Sequence, residues 1–220
     1  VVPHSEAMEG ESGSFTIDFV AWNNGTLASK DSSGYDDGGH FDLKVNSSRQ
    51  VELRVQTDDE SFTLKGGSLN YEDFYNATVT WDGSTVTLYV NGSAVDSVET
   101  DYSMAPNENP WTFGASQTTS GDNVADNLHT YLNGRIDNPT LLDGALTSEQ
   151  VSTMVSGGIT NYVQNNTGSG ETTLFETDFE ESPAEFVDTA DGWSTSSDKI
   201  EVWDGTNTAA DGSKFIELNT

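Results

Sequence analysis

Cysteine is absent from this 220-residue sequence, and lysine and arginine together number only 8. The lack of thiols excludes disulfide bonds and zinc sites with thiolate ligands. The 37 acidic residues outnumber the basic ones, and the formal net charge is −29. A protein of this charge is repelled by nucleic acid and by anionic membranes. No apolar run approaches the ~20 residues that span a bilayer, so membrane insertion is not expected either.

The excess of carboxylates has two plausible uses. It recruits Ca²⁺, which takes six to eight oxygen ligands, or it keeps the protein soluble at high salt, where screening shortens charge repulsion. A merely acidic surface is the plainer alternative. The sequence begins at Val1-Val2-Pro3 without a signal-peptide pattern, and we expect a fragment of a longer secreted polypeptide.

Short runs of alternating apolar and polar residues, separated by turn signals, fill the first ~155 residues. Asp82-Gly83 and Asn91-Gly92 are strong hairpin turns. Strands with one apolar face and one polar, solvent-exposed face predict an all-β, antiparallel sandwich. The apolar faces of the main runs are Phe15, Ile17 and Phe19; Phe41, Leu43 and Val45; Val51, Leu53 and Val55; and Val86, Leu88 and Val90.

One short helix is predicted after the sandwich strands. Thr147 and Gln150 form a capping-box pattern, and Gly157-Gly158 ends the apolar periodicity. Residues 159–171 are polar and predict a linker. Strand patterns resume at Leu174-Phe175 and Phe179, at Ile200 and Val202, and at 215–218. About fifty residues cannot bury a large core alone, so the tail at 172–220 is either a partial β domain or a segment that packs on the first domain.

Three stretches resemble laminin G-like (LamG) domains of the concanavalin A type. They are VTWDGSTVTLYVNGSAVDS (79–97), WTFGASQ (111–117) and YLNGRIDNPTLLDGALTSEQVSTM (131–154). In order and spacing they match the central hairpin, a following strand and the closing segment of that family. The resemblance implies a jelly-roll sandwich over residues 1–158. Asn138-Pro139 departs from the family's acidic-Val pair, which puts one edge hydrogen bond in doubt.

Two further resemblances bear on context. Residues 27–56 are similar to LamG-like modules of large bacterial secreted proteins, including repeats-in-toxin adhesins, which implies calcium and an extracellular or cell-surface location. The tail resembles the start of a galactose-binding-like jelly roll; such modules commonly bind sugars or hold a structural calcium.

Two oxygen-rich loops are candidate calcium sites. Carboxylates interleaved with glycine in a loop supply the oxygen ligands that Ca²⁺ prefers, although the spacing is not that of an EF-hand. The alternative is a pair of solvated acidic loops. The candidate ligands are Asp31, Asp36 and Asp37 around Gly34; Asp122, Asn123, Asp126 and Asn127; and Asp137, which is expected nearby in a LamG-like fold.

Polar strand residues and aromatic rings are candidates for ligand binding. Lys30, His40, Arg54 and Gln56 offer donors for a sugar, a carboxylate or a peptide C-terminus. The alternative is a set of cross-strand ion pairs in which Arg54 meets Glu52 or Asp42. Sugar rings stack on exposed aromatic faces, and the candidates for stacking are Trp111, Tyr131 and Tyr102.

Catalysis is not expected. Sandwich glucanases need two carboxylates that flank the scissile bond, and their Glu-x-Asp-x-x-Glu run is missing here; the three histidines form no persuasive triad pattern either. We therefore expect a calcium-dependent, carbohydrate-binding module of a secreted or cell-surface adhesin. The alternative is a structural protein that self-assembles when its tail (172–220) adds strands to a neighbouring subunit.

Overall fold

The computed structural model of the chain describes residues 2–30, 40–56, 61–104, 109–117, 128–166, 172–176, 186–187, 189–190, 193–194, 200–204 and 214–218. After a 3-10 turn at Glu6–Met8, its elements are β1 (Gly13–Ala21), β2 (Gly25–Lys30), β3 (His40–Val45), β4 (Val51–Gln56), β5 (Ser61–Gly66), β6 (Tyr75–Trp81), β7 (Thr85–Val90), β8 (Ser93–Glu99), β9 (Thr112–Phe113), β10 (Ser116–Gln117), β11 (Leu128–His129), β12 (Gly134–Asp143), α1 (Ser148–Gly157), α2 (Ile159–Asn166), β13 (Thr172–Glu176), β14 (Phe186–Val187), β15 (Thr189–Ala190), β16 (Trp193–Ser194), β17 (Ile200–Asp204) and β18 (Lys214–Leu218).

Two antiparallel sheets form the sandwich, as the alternation predicted. The smaller sheet has the order β5-β4-β3-β2-β9, and the larger has the order β14-β17-β18-β12-β1-β6-β7-β8, with β13 also paired to β12. Two small ribbons, β10-β11 and β15-β16, complete the described strands. All these pairings make the protein an all-β jelly-roll sandwich.

The core lies between the facing sides of the two sheets. Phe15, Ile17 and Phe19 of β1 are fully buried, and Phe41 and Leu43 of β3 oppose them from the other sheet. The alternate positions of β3, which are His40, Asp42 and Lys44, are half-buried. Because side chains of a strand alternate between its faces, each sheet places one apolar side inward and leaves its polar side outward.

The helical region is longer than the sequence pattern predicted. The capping box is confirmed: the Thr147 hydroxyl accepts a hydrogen bond from the Gln150 amide (3.3 Å), and the Gln150 side chain accepts one from the Thr147 amide (2.8 Å). Residues 159–166, predicted as linker, form α2 instead. Ile159 and Tyr162 are buried against α1 and the outer side of the larger sheet, and this apolar contact stabilises a segment whose polar composition favoured a loop.

Four described strands of the tail (β13, β14, β17 and β18) join the larger sheet, whereas β15 and β16 form a separate ribbon. Strand β13 pairs with β12 through Leu141 and Phe175, and β18 pairs with it through a contact of Ile136 with Ile216. On its other side β12 pairs with β1 along most of its length. Strands predicted near 174–175, 200–202 and 215–218 are therefore present, whereas Phe179 lies outside the described residues.

Candidate functional site

The outer side of the smaller sheet carries a row of polar side chains. In β3 and β4 the register places His40 opposite Gln56, Asp42 opposite Arg54, and Lys44 opposite Glu52. Because the intervening residues are buried in the core, these six side chains share the outward side. We call the set His40, Asp42, Lys44, Glu52, Arg54 and Gln56 the polar face.

Of the two basic side chains on the polar face, Lys44 contacts both carboxylates and Arg54 contacts neither. The Lys44 ammonium lies 3.2 Å from Asp42 Oδ2 and 3.4 Å from Glu52 Oε1. Arg54 is exposed and donates from Nη2 to Gln56 Oε1 at 3.0 Å. Among the described residues Arg54 makes no ion pair with a carboxylate, so the predicted alternative of Arg54 pairing with Asp42 or Glu52 is wrong. Lys44 is instead the ion-pair partner of both acids, and the guanidinium of Arg54 is left exposed.

Two neighbours shape the surroundings of Arg54. Burial lowers the pKa of His40, the charge of Arg54 lowers it further, and Asp42 opposes both effects. The imidazole of His40 is therefore mostly neutral at pH 7. Gln56 is only 7% exposed, and its carboxamide oxygen orients the Arg54 guanidinium by accepting a hydrogen bond from it. The sequence prediction that His40, Arg54 and Gln56 lie together is consistent with this arrangement.

Lys30 does not belong to this group. Its register partner is Phe41, so its side chain enters the inward side of the sheet, and only 1% of the residue is exposed. The ammonium donates to the Asn109 carbonyl (2.9 Å) and contacts His4 Nδ1 (3.4 Å). His4 in turn contacts Glu9 at 3.2 Å. The prediction that Lys30 shares the ligand-binding face with His40 is wrong.

The inward position of Lys30 has a local cause and an electrostatic consequence. Strand β2 contains a register shift between Thr26 and Ala28, which reverses the simple alternation along this strand. Burial lowers the pKa of Lys30 to about 8, and the nearby charge of Glu9 opposes this shift. Lys30 is therefore a buried structural cation that ties β2 to the N-terminal segment.

Two of the three predicted stacking rings lie in the core. Trp111 is completely buried and stacks on Phe15 with ring centroids 5.1 Å apart. Tyr102 is 3% exposed, its hydroxyl donates to the Met104 sulfur (3.5 Å), and burial raises its pKa far above the usual value. A stacking ring needs an open face, so the prediction is wrong for Trp111 and Tyr102. Tyr131 is 47% exposed and remains available.

The predicted calcium ligands fall mostly outside the described residues. Asp31, Asp36, Asp37, Asp122, Asn123, Asp126 and Asn127 all lie there. Asp137 is described and buried, and it faces Asp18 across the β1-β12 ladder. Within the described part of the chain, no three His, Asp or Glu side chains are grouped so that they could hold a metal ion.

The surroundings of Asp137 supply oxygen ligands of the kind that Ca²⁺ takes. Asn138 donates from its backbone to Asp137 Oδ1 and from its side chain to Asp18 Oδ2, both at 3.0 Å. The Asn138 side-chain oxygen is buried and has no hydrogen-bond partner. Asn138 has a φ of 50°, and the ladder to β1 shifts register there, where Pro139 cannot donate a hydrogen bond. The side-chain oxygens of Asp18, Asp137 and Asn138 are thus of the type that a hard cation binds, but these three residues alone do not supply its six to eight ligands.

The family model of the concanavalin A-like lectin/glucanases superfamily (Laminin_G_3) matches residues 3–152. This chain belongs to that superfamily. The LamG resemblance of the sequence is thereby confirmed, and the matched region covers the sandwich through the first turn of α1. No curated protein sequence matches the chain significantly.

Solved structures of lectin type share the superfamily fold. A SAP-like pentraxin from Limulus polyphemus aligns with a TM-score of 0.53 and 18% identity over 70% of this chain and 71% of its own. The CBM40 module of the Ruminococcus gnavus IT-sialidase, bound to α2,6-sialyllactose, aligns with a TM-score of 0.53 and 13% identity over 68% of this chain and 85% of its own. The receptor-binding domain of botulinum neurotoxin D aligns with a TM-score of 0.50 and 14% identity over 67% of this chain and 37% of its own. At these identities the likeness establishes the fold. None of the described helices is long and apolar enough to cross a membrane.

Proposed function

We propose that this protein is a non-catalytic glycan-binding module and that the polar face of the smaller sheet is its binding surface. The observation that carries the proposal is the state of Arg54, an exposed guanidinium that makes no carboxylate ion pair among the described residues. A planar group with several fixed donors suits vicinal hydroxyls or a carboxylate of a sugar. The lectin-type fold supports this use of the surface.

The neighbouring side chains complete a set of donors and acceptors. Neutral His40 lies opposite Gln56, and Gln56 fixes the Arg54 guanidinium by accepting from Nη2. Lys44 forms ion pairs with Asp42 and Glu52, so these acids compete less for Arg54. Saccharide sites use a few convergent polar groups of this kind to set ligand orientation.

We also propose that Ca²⁺ orders the acidic loops, with ligands among Asp31, Asp36 and Asp37, among residues 122–127, and at Asp137. The unmet acceptor of Asn138 beside Asp18 and Asp137 supports a cation at that point. The formal charge of −29 supports it as well, because bound divalent ions reduce self-repulsion. An extracellular setting, in which Ca²⁺ is plentiful and an adhesin meets glycans, follows from this proposal.

Binding to a glycan array, with Ca²⁺ and with EDTA, tests the proposal. The wild-type chain is compared with Arg54→Ala and with Arg49→Ala, which removes the same charge from the turn at the far end of the β3-β4 hairpin. We expect Arg54→Ala to lower affinity at least tenfold and Arg49→Ala to leave it unchanged. Equal binding by all three proteins would exclude the polar face as the site.

A second candidate function is assembly through the tail. The observation that favours it is the backbone pairing of β13 and β18 with the edge of β12, since the same pairing made by another copy would join two chains. Size-exclusion chromatography of the full chain over a range of protein concentrations tests this. A concentration-dependent oligomer supports assembly, whereas a strictly monomeric full chain opposes it.

A further inference from the structure

A second surface with exposed aromatic character lies at one end of the larger sheet. Tyr131, Asn133 and Arg135 alternate along the approach to β12, whereas Leu132 and Ile136 between and after them are completely buried. The three side chains therefore point away from the core. Trp22 follows β1, and its amide donates to the Asn133 carbonyl at 2.9 Å. We call Trp22, Tyr131, Asn133 and Arg135 the end patch.

The backbone beneath the end patch is held by several hydrogen bonds. The Thr26 amide donates to the Thr130 carbonyl (2.9 Å), and the Leu132 amide donates to the Gly114 carbonyl (2.8 Å). The Asn133 amide donates to the Asn23 side chain (3.0 Å). Tyr131 is thus presented on an ordered turn, and binding through it loses little conformational entropy.

Gly25 shows how closely the turn is packed. A Cβ atom at this position would lie 2.6 Å from Leu132 Cα and 2.6 Å from the Tyr131 carbonyl oxygen. Only glycine lets β2 approach the turn this closely. The turn that carries Tyr131 is consequently packed directly against the backbone of β2.

The side chains around Tyr131 offer both stacking and hydrogen bonding. The guanidinium carbon of Arg135 lies 5.4 Å from the centroid of the Trp22 ring, a cation-π arrangement. The Asn133 side-chain oxygen is shielded from solvent and has no hydrogen-bond partner, so turning it toward a ligand hydroxyl breaks no existing bond to that oxygen.

We propose that the end patch is a second saccharide site, which takes a neutral pyranose. The apolar face of the sugar packs on the Tyr131 ring. One sugar hydroxyl donates to Asn133 Oδ1 once that side chain turns outward. A neutral sugar is favoured over an anionic one because Arg135 is the only basic residue of the patch and belongs to a protein with a formal charge of −29.

The end patch and the polar face cannot serve one sugar residue together. They belong to the outer sides of opposite sheets, and packed sheets are separated by about 10 Å of core. This inference rests on the proposed glycan-binding function but adds a separate site. Two sites on one rigid sandwich would raise avidity for a branched or surface-bound glycan without any further contact.

Titration of the full chain with lactose, maltotriose and sialyllactose, followed by NMR, tests the proposal. The key variant is Tyr131→Ala. The matched control is Tyr71→Ala, because Tyr71 is 45% exposed and also carries a guanidinium, that of Arg49, at 4.5 Å from its ring centroid. We expect Tyr131→Ala to weaken binding of a neutral probe by about fivefold or more, the range of a lost aromatic contact. Tyr71→Ala and Arg54→Ala should leave that binding unchanged.

The results separate the two proposals. If Tyr131→Ala binds each probe as the wild type does while Arg54→Ala loses binding, the end patch is not a site and the polar face stands. If only Tyr131→Ala loses binding, for sialyllactose as well as for the neutral probes, the end patch stands and the polar face falls. Failure of the wild-type chain to bind any of the three probes overturns both. Equal melting temperatures of Tyr131→Ala and Tyr71→Ala show that an effect on binding is not an effect on folding.

Discussion

Replacing the buried Lys30 by methionine changes how stability depends on pH. The pKa of Lys30 falls from 10.5 in the unfolded chain to about 8 in the fold, mainly because burial disfavours the cation. The unfolded state therefore binds more protons between pH 8 and 10.5, and the free energy of unfolding rises with pH in that window. At 1.36 kcal/mol per pKa unit, the wild type should gain about 2 kcal/mol between pH 7 and pH 10 relative to Lys30→Met.

Urea denaturation of both proteins at each pH unit from 6 to 10 measures this difference. Subtracting the Lys30→Met curve removes the contributions of other groups that titrate in alkali. Lys65→Met, at an exposed position of β5, is the control and should parallel the wild type. At pH 7 we expect Lys30→Met to change the free energy of unfolding only slightly, because two effects oppose each other. The substitution removes a buried charge, but it also leaves the Asn109 carbonyl and His4 without their donor. The reasoning would be refuted if the free energy of unfolding of the wild type, relative to that of Lys30→Met, stayed constant or decreased above pH 8.

Three other expectations concern stability. Trp111→Ala removes a completely buried ring stacked on Phe15 and should cost about 3–5 kcal/mol in urea denaturation; a loss below 1 kcal/mol would mean that the ring is not in the core. Thr147→Ala removes one half of the capping box and should cost about 1 kcal/mol, whereas Thr153→Ala on the exposed side of α1 should have little effect. Saturating Ca²⁺ should raise the melting temperature relative to EDTA, since about 100-fold excess over the dissociation constant adds about 2.7 kcal/mol; identical melting curves would exclude a structural calcium.

The sandwich was predictable because its evidence is local. Phe15, Ile17 and Phe19 alternate with polar residues, and all three occupy the core between the sheets. The same rule placed Lys30 wrongly, because the register shift after Thr26 changes which side of the sheet a residue faces. A single sequence carries no sign of such a shift, and the face of a residue depends on register.

Trp111 and α2 were mispredicted for different reasons. A proline before Trp111 suggested an exposed rim, but long-range pairing with β2 draws the ring inward. In α2 the signal was present: Ile159, Tyr162 and Val163 follow helical spacing. Three asparagines and nearby glycines obscured it. Trp22 lies more than one hundred positions before the other three residues of the end patch, and the β1-β12 ladder brings it to Arg135.

The region recognised as the superfamily domain ends at residue 152, but the strands that cover β12 begin at residue 172. Cutting the chain at the domain limit would uncover the hydrogen-bonding groups along much of a ten-residue strand. Exposed strand edges of that length recruit other strands and promote aggregation. A shortened protein prepared for binding measurements should therefore keep the residues through 218, since otherwise weak solubility could be mistaken for weak affinity.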